Sequence, residues 1–319
     1  MVNKCEKEIL NLPFTGITSF VKYPICTDLS KLEADVAVIG APYDLGTNWR
    51  SGARFGPRGV RVASALYSFG LKGFYDPERD DTYIGPSWRV VDCGDIDMVN
   101  GDLQQCFDNI RASIRQIIAR GAMPVLIGGD HSVTIPYAEA LEDLGPFYVV
   151  QLDAHLDWCD QRSGQRYGQG SPMRRLSEMK HVQGTAQIGI RGLGSSSKED
   201  FDHARGYGSV IVSPRELREI GIQGVMDRIP DAKRYFITID VDVLDPSLAP
   251  GTGTPSPGGL DYYEVNGLME GLAKKGEIIA FDFVEVAPIY DPTETTSLIS
   301  ARLILDFIGF ILKEREKNR

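Results

Sequence analysis

Short β-branched apolar runs alternate along this chain with longer segments whose apolar residues recur at helical spacing. The short runs predict strands and the longer segments predict amphipathic helices. The predicted strands are ADVAVIG (34–40), MPVLIGG (123–129), PFYVVQLDA (146–154), TAQIGIRG (185–192), RYFITIDVDVLDP (234–246) and EIIAFDFVEVAP (277–288). The predicted helices are 103–121, 132–145, 261–276 and a final one from about 295 to 317. This alternation is typical of a parallel sheet with helices on both faces, so we predict an α/β fold of three layers, α/β/α.

Polar clusters follow four of these predicted strands. They are GGDHS (128–132), DAHLD (153–157), DVD (240–242) and Glu285. In open parallel sheets, ligands bind outside the carboxyl ends of the strands. We therefore expect all four clusters at one edge of the sheet.

The clusters contain side chains that bind metal ions. Asp153, His155 and Asp157 are spaced by two, so they share one face of an extended segment. Carboxylates so close together repel each other unless a cation lies between them, although an exposed polar loop is the simple alternative for this stretch alone. The full set of predicted metal ligands is His131, Asp153, His155, Asp157, Asp240 and Asp242.

Four carboxylates and two imidazoles are more than one ion requires. An oxygen-rich set without thiolate suits Mn²⁺ best, with Ni²⁺, Fe²⁺ and Co²⁺ as alternatives. Two such ions about 3.5–4 Å apart bind water and lower its pKa, which is the chemistry of hydrolysis. We therefore predict two divalent ions per chain, Mn²⁺ first and Ni²⁺ second.

Composition excludes several classes of protein. The net charge of −10 disfavours a nucleic-acid-binding surface, which needs clustered Lys and Arg. We expect no membrane span, since no run approaches about 18 apolar residues, and no like-charge block or linker divides the 319 residues. The lack of a linker favours a single domain. Five cysteines without a CxxC pair favour reduced thiols, and together with the lack of a membrane span they lead us to expect a cytoplasmic protein.

Three motifs resemble those of the ureohydrolase family, the arginase and agmatinase group. They are GGDHS (128–132), DAHLD (153–157) and DVDVLDPSLAPGTGTPSPGGL (240–260). Residues 40–61, 91–95 and 281–288 are similar to the agmatinase-like branch, so the resemblance extends over most of the chain. It implies one arginase-like domain over residues 1–319 with a mainly parallel eight-stranded sheet. It also implies an N-terminal extension over about residues 1–30 at subunit contacts, and a homotrimer or homohexamer.

The resemblance assigns roles as well. It implies that one manganese ion is held by His131, Asp153, Asp157 and Asp240, and the other by Asp153, His155, Asp240 and Asp242. A hydroxide bridging the two ions would attack the guanidinium carbon of a small substrate, and urea would leave with an amine. The resemblance further implies that Glu285 pairs with the guanidinium and that Asp157 helps to pass a proton to the leaving nitrogen.

The chain departs from the family at Gln169, where arginases and agmatinases carry a histidine. Glutamine can bind substrate through hydrogen bonds but cannot titrate. The loop WCDQRSGQRYGQG (158–170) should select the substrate. Asp160 suits an amine tail such as that of agmatine, whereas Arg162 or Arg166 suits the carboxylate of guanidinobutyrate or guanidinopropionate. Tyr167 and Asn48 are weaker candidates for substrate contacts.

The leading hypothesis is a two-metal hydrolase of such guanidino compounds. Other hydrolases on the same scaffold are alternatives, with guanidine, an alkylated guanidine, a biguanide or a formimidoyl compound as substrate. A deacetylase-like enzyme with one zinc ion is less favoured, because the complete set of ligands for two metals is present. A subunit that has lost turnover is a further alternative, for which Gln169 is the only support.

Overall fold

Eight parallel strands form one sheet through residues 12–70 and 72–317, the parts of the chain that this computed structural model describes. Numbered along the chain, the strands are β1 (Val36–Ala41), β2 (Phe74–Asp76), β3 (Asp81–Tyr83), β4 (Val90–Asp95), β5 (Met123–Gly128), β6 (Phe147–Leu152), β7 (Val182–Ile188), β8 (Val210–Val212), β9 (Arg234–Asp240) and β10 (Glu277–Val284). Their order across the sheet is β4-β1-β5-β10-β9-β6-β7-β8, while β2 and β3 form a separate antiparallel hairpin. Because every neighbouring pair in the sheet is parallel, all eight carboxyl ends lie at one edge.

Helices cover both faces of the sheet. They are α1 (Gly56–Ser64), α2 (Leu103–Ala119), α3 (Thr134–Ala140), α4 (Pro172–Ser177), α5 (Lys198–Tyr207), α6 (Pro214–Arg228), α7 (Tyr262–Lys275) and α8 (Thr295–Lys317). Successive side chains of a strand point to opposite faces, so Val36 and Val38 of β1 join the core that includes α1, α6, α7 and α8. Ala37 and Ile39 join the core that includes α2, α3, α4 and α5. The predicted three-layer α/β/α fold with an eight-stranded parallel sheet is confirmed.

The six strands predicted from the sequence are all present, but β4 and β8 lie outside that prediction. Strand β8 has only three residues, which is too short for a clear pattern. Strand β4 carries Asp92 in its interior, where Arg61 pairs with it at 2.8 Å between Nε and Oδ2. Helix α6 was also not predicted. Gly221, with a φ of 71°, interrupts this helix.

Helix α8 is long and apolar enough to cross a membrane by length and composition alone. However, 72% of its apolar window is buried inside the fold, as in a core helix of a globular protein. Its apolar residues pack against α1 and α7 as well as the sheet.

The predicted N-terminal extension is described only in part, since residues 1–11 lie outside the described residues. Within its remainder, Phe20 and Val21 are fully buried. The amide of Phe20 donates to Asp92 Oδ2 at 2.6 Å, and the amide of Val21 donates to Ser64 Oγ at 2.7 Å. The extension therefore packs against α1 and β4, and its role at subunit contacts stays a prediction.

Candidate metal centre

The four polar clusters lie side by side because they follow four neighbouring strands. Strands β5, β10, β9 and β6 are consecutive in the middle of the sheet. Their carboxyl ends lead into His131, Glu285, Asp240 and Asp153, respectively. None of these four residues is more than 3% exposed, so the structure brings them together in the interior.

A tight turn after β5 positions His131. A Cβ on Gly129 would lie 1.7 Å from the Tyr43 carbonyl oxygen, so only glycine fits there. The carboxylate of Asp130 accepts from the amides of Gly46 at 2.7 Å and Ser132 at 3.0 Å. These contacts fix the turn, which directs the His131 ring toward the ends of β6 and β9.

His131, Asp153 and Asp240 form the first potential metal-binding group, with one ligand atom of each within 4.8 Å of the others. His131 Nδ1 lies 3.1 Å from Asp153 Oδ2, 2.9 Å from Asp157 Oδ2 and 3.4 Å from Asp240 Oδ2. Despite these neighbours, this buried nitrogen has no partner with hydrogen-bond geometry in the described parts of the chain. A buried nitrogen that faces three carboxylates without a hydrogen bond suits a metal ligand.

Asp153, His155 and Asp242 form the second group. His155 Nδ1 lies 3.0 Å from Asp242 Oδ2 and 3.5 Å from Asp153 Oδ1. The Ala154 amide donates to Asp242 Oδ1 at 3.1 Å, which holds that carboxylate in place. Because Asp153 belongs to both groups, the donors present fit two divalent cations that share a carboxylate.

The electrostatics of the cluster favour cations. Burial and the charges of Asp242 and Asp153 raise the pKa of Asp240 well above its usual value. Burial and the charge of Asp153 likewise raise the pKa of Asp157 to about 6. Burial opposes the charged form of His155, but Asp242 and Asp153 overcome it and raise its pKa to about 12. The metal-free cluster therefore retains protons, which divalent cations would displace.

Glu285 faces a cavity of about 290 Å³ beside these ligands. Its Oε1 accepts a hydrogen bond from the amide of His131 at 2.8 Å, whereas its buried Oε2 has no partner among the described residues. Burial, followed by the charges of Asp240 and Asp130, raises the Glu285 pKa well above its usual value. The cavity therefore contains a carboxylate oxygen suited to a cationic ligand.

The backbone is strained at two cavity residues. Asp157 has a φ of 50° and Glu285 a φ of 65°, in the left-handed region that non-glycine residues rarely adopt. Such a conformation costs about 1–3 kcal/mol per residue and persists only where the surrounding structure enforces it. Both side chains line the cavity, so the strain lies where function is expected.

Comparison with known proteins decides the family. The model of the arginase family matches residues 34–309. The chain belongs to the arginase family.

Individual members of the arginase family align over nearly the whole chain. Proclavaminate amidinohydrolase from Streptomyces clavuligerus is 37% identical over 298 residues, which cover 91% of each protein. Guanidinopropionase from Pseudomonas aeruginosa is 36% identical over 311 residues, which cover 96% of this chain and 95% of that protein. A solved structure of proclavaminate amidinohydrolase from S. clavuligerus has a TM-score of 0.83 at 32% identity, and the match covers 95% of this chain and 99% of that one.

Membership confirms the resemblance to ureohydrolases inferred from the sequence. The protein is therefore a hydrolase of C–N bonds in linear amidines. Enzymes of the arginase family depend on a binuclear metal centre, and the two groups described above are the candidate ligands in this chain.

The predicted substrate contacts divide into two sets in this arginase-family structure. Asn48, Arg162, Gln169 and Glu285 line the cavity. Asp160, Arg166 and Tyr167 do not line it. Instead, Asp160 Oδ1 lies 2.6 Å from Arg175 Nη2 and 3.2 Å from Arg166 Nη2, while Tyr167 packs edge-on against Phe107 at 6.1 Å between ring centroids.

Several residues at the site were not identified from the sequence. Trp49, Ser195, Ser196 and Thr254 also line the cavity. Arg191 Nη2 donates to the carbonyl oxygens of Asp242 at 2.7 Å and Ser256 at 2.6 Å, which ties a ligand-bearing turn to the following loop. Gln151 Nε2 donates to Asp153 Oδ2 at 2.6 Å. A glutamine in the middle of an apolar run was the available signal for Gln151.

Proposed function

We propose that this enzyme releases urea from a small linear guanidino compound that carries a carboxylate at its other end. Guanidinopropionate and guanidinobutyrate represent this class. The observation that carries the proposal is that one cavity is lined both by Glu285, whose buried Oε2 has no partner in the described chain, and by Arg162. The name of the relative guanidinopropionase supports the same class.

Glu285 is suited to the guanidinium end of the substrate. Its Oε1 is held by the amide of His131, so the carboxylate has a fixed orientation and leaves Oε2 available to an incoming N–H group. Contacts between a guanidinium and a carboxylate are charge-assisted and planar, which gives both affinity and orientation. Glu285 would thereby hold the guanidinium carbon beside the metal ligands.

We propose that His131, Asp153, His155, Asp157, Asp240 and Asp242 hold two divalent ions, with Mn²⁺ as the first candidate and Ni²⁺ as the second. Bound there, the ions would supply Lewis acidity and lower the pKa of water to give a nucleophile near neutral pH. Asp157 lines the cavity as well as the cluster. Its carboxylate would take a proton from the attacking water and pass it to the departing amine nitrogen.

Gln169 extends the recognition of the substrate. Its side chain is buried, and its Oε1 has no hydrogen-bond partner in the described parts of the chain. The backbone amide of Gln169 donates to the Gly46 carbonyl at 3.1 Å, which fixes its position in the cavity wall. Gln169 Oε1 would accept a hydrogen bond from a substrate N–H without changing charge with pH.

Arg162 is suited to the anionic end. It sits at the base of a two-residue turn, because its amide and carbonyl pair with those of Gln165 at 2.9 Å and the turn residues Ser163 and Gly164 have φ values of 52° and 82°. Within the described residues, no carboxylate lies within 4.0 Å of its guanidinium, whereas Asp160 is paired with Arg175 and Arg166. The charge available to a substrate tail is therefore positive, which favours a carboxylate over the amine of agmatine.

The test measures urea release by the Mn²⁺-loaded and Ni²⁺-loaded enzyme. The substrates are guanidinopropionate, guanidinobutyrate, agmatine, arginine, guanidine and methylguanidine. We expect the highest kcat/KM for one of the two guanidino acids. Arg162→Met should lower that kcat/KM at least about fivefold by removing a charge-assisted contact, and should leave agmatine turnover unchanged or improved.

Arg166→Met is the matched control, because it removes an arginine of the same loop that does not line the cavity. We expect kcat/KM within about twofold of wild type for this variant. Faster turnover of agmatine than of the guanidino acids would refute the carboxylate-tailed class but leave the urea-releasing reaction intact. No urea from any compound, with two metals bound per chain, would refute the reaction itself.

A further inference from the structure

A carboxylate lies in the middle of the sheet, behind the metal ligands. Asp282 of β10 is fully buried, and its register partners are Leu126 of β5 and Thr238 of β9. Within the described parts of the chain, no lysine or arginine lies within 4.0 Å of it, so no ion pair compensates its charge. Burying such a group costs stability, and a specific role would explain its presence.

The polar neighbours of Asp282 lead to His131. Thr134 Oγ1 donates to Asp282 Oδ2 at 2.8 Å, whereas Asp282 Oδ1 has no hydrogen-bond partner in the described parts of the chain. Thr238 Oγ1 lies 2.9 Å from His131 Nε2 and 3.4 Å from Thr134 Oγ1. A continuous chain of polar contacts thus runs from Asp282 through the two threonines to the ring of His131.

The chemistry of these groups favours one direction of hydrogen bonding. An ionised carboxylate can only accept, so the Thr134 proton goes to Asp282 and the Thr134 oxygen is left as an acceptor for the Thr238 hydroxyl, 3.4 Å away. With its proton on that side, the Thr238 oxygen accepts from the ring, and His131 Nε2 carries the donated proton. Once an incoming cation displaces the second ring proton, the other nitrogen, Nδ1, offers its lone pair on the side of Asp153, Asp157 and Asp240.

We propose that Asp282 is a positioning residue that acts through Thr134 and Thr238 to hold His131 in the tautomer whose Nδ1 can bind a divalent cation. The proposal rests on the two-metal function proposed above. Partners of this kind orient a histidine ligand and raise its basicity, and their loss typically lowers metal affinity about 10–100-fold. Asp282 itself touches neither substrate nor metal.

The test measures Mn²⁺ affinity by isothermal titration calorimetry on the full-length chain. Thr238→Val keeps the shape of the side chain but removes the hydroxyl, and it should weaken one of the two Mn²⁺ binding steps by about 10–100-fold. Thr238→Ser restores the hydroxyl and should bind within about threefold of wild type. Asp282→Asn should weaken the same Mn²⁺ binding step as Thr238→Val. The amide of the new side chain can donate to the threonine hydroxyls and so reverse the direction of the hydrogen bonds that lead to His131.

Thr296→Val is the matched control. Thr296 is also fully buried, and its hydroxyl donates to a carboxylate, Asp291 Oδ2, at 2.7 Å, but neither residue contacts the proposed metal ligands. This variant should lose thermal stability without losing Mn²⁺ affinity. Thermal unfolding of each metal-free variant shows that it is folded before affinities are compared.

Wild-type Mn²⁺ affinity of Thr238→Val would overturn the proposal, as would an equal loss of affinity in Thr296→Val. The measurement needs no substrate, so failure of the positioning role is distinguishable from failure of the proposed urea release. Turnover gives a second readout: saturating Mn²⁺ should restore kcat in Thr238→Val with KM for the substrate unchanged. A kcat that stays low when both metals are bound would contradict a role through affinity.

Discussion

Replacement of Glu285 by glutamine should lower activity without lowering stability. The amide oxygen of the new side chain can still accept the hydrogen bond from the His131 amide that Glu285 Oε1 accepts at 2.8 Å. The substitution places an amide NH₂ where the unpartnered Oε2 lies, so the guanidinium of the substrate would meet a donor instead of an anionic acceptor. Charge and hydrogen bonding therefore change with little change in volume.

The magnitude follows from this one lost contact. A hydrogen bond to a charged group contributes about 1.5–3 kcal/mol, and a donor that faces a donor adds to the loss. We therefore expect a transition-state penalty of about 2–4 kcal/mol, which is about 30- to 1000-fold in kcat/KM. Metal content should stay at the wild-type level, because Glu285 is outside both candidate metal groups.

Stability should change in the opposite direction. Burial and the neighbouring carboxylates raise the pKa of Glu285 above its ordinary value of 4.5, so the folded metal-free protein holds this proton more tightly than the unfolded chain. The ionised form therefore destabilises the fold increasingly as the pH rises above about 4.5 toward the folded-state pKa. The glutamine variant lacks this penalty, and its stability advantage over wild type should grow with pH in that window.

The assays are urea release for activity and urea-induced unfolding of the metal-free protein for stability. Asp306→Asn is the contrasting control, since Asp306 of α8 accepts hydrogen bonds from Tyr262 of α7 at 2.6 Å and from Arg302 of its own helix at 2.8 Å. That variant should lose about 1–3 kcal/mol of stability and keep its kcat/KM. A Glu285→Gln enzyme with kcat/KM within about threefold of wild type would refute the assigned role of Glu285.

Three further outcomes are expected. Asp240→Asn should remove a charged ligand and lower Mn²⁺ content and rate together; wild-type values of both, by elemental analysis and urea assay, would contradict its assignment. Mn²⁺ binding at pH 7.5 should release protons and strengthen with pH, because the pKa values of His131 and His155 are raised in the metal-free cluster. Calorimetry in two buffers with different ionisation enthalpies measures this release. Identical observed enthalpies of Mn²⁺ binding in the two buffers would exclude it. Gly129→Ala should lower the free energy of unfolding by at least about 3 kcal/mol or displace the turn, because the new Cβ would lie 1.7 Å from the Tyr43 carbonyl oxygen. An unchanged melting temperature would contradict this.

The sequence predicts those parts of the structure that depend on local pattern and residue chemistry. Apolar runs identify six of the eight sheet strands, and ligand-type side chains after four of them identify the metal cluster. The resemblance to ureohydrolases supplied the number of strands, and the observed sheet confirms it. Strand β4 was not predicted because Asp92 interrupts its apolar run. Only the structure shows that Arg61 compensates the charge of Asp92.

The sequence pattern does not predict which strands become neighbours or which side chains meet in the folded protein. The pattern does not show that β5, β10, β9 and β6 are neighbours, although the cluster depends on that order. It treats Asp160, Arg162 and Arg166 as equivalent loop charges, and only the structure shows that Asp160 pairs with Arg175 while Arg162 lines the cavity. Asp282 reads as one polar residue in a strand until its contact with Thr134 is known.

The separation between the strand ends and the loop that carries Arg162 has a consequence for protein engineering. The metal ligands follow central strands, whereas the loop closes on itself through the pairing of Arg162 with Gln165. Exchanging residues 159–167, which are mostly exposed, for the equivalent segment of a relative should therefore alter substrate choice and leave the metal ligands unchanged. On an evolutionary scale, the same modularity would let new nitrogen sources be adopted through changes in one short surface segment.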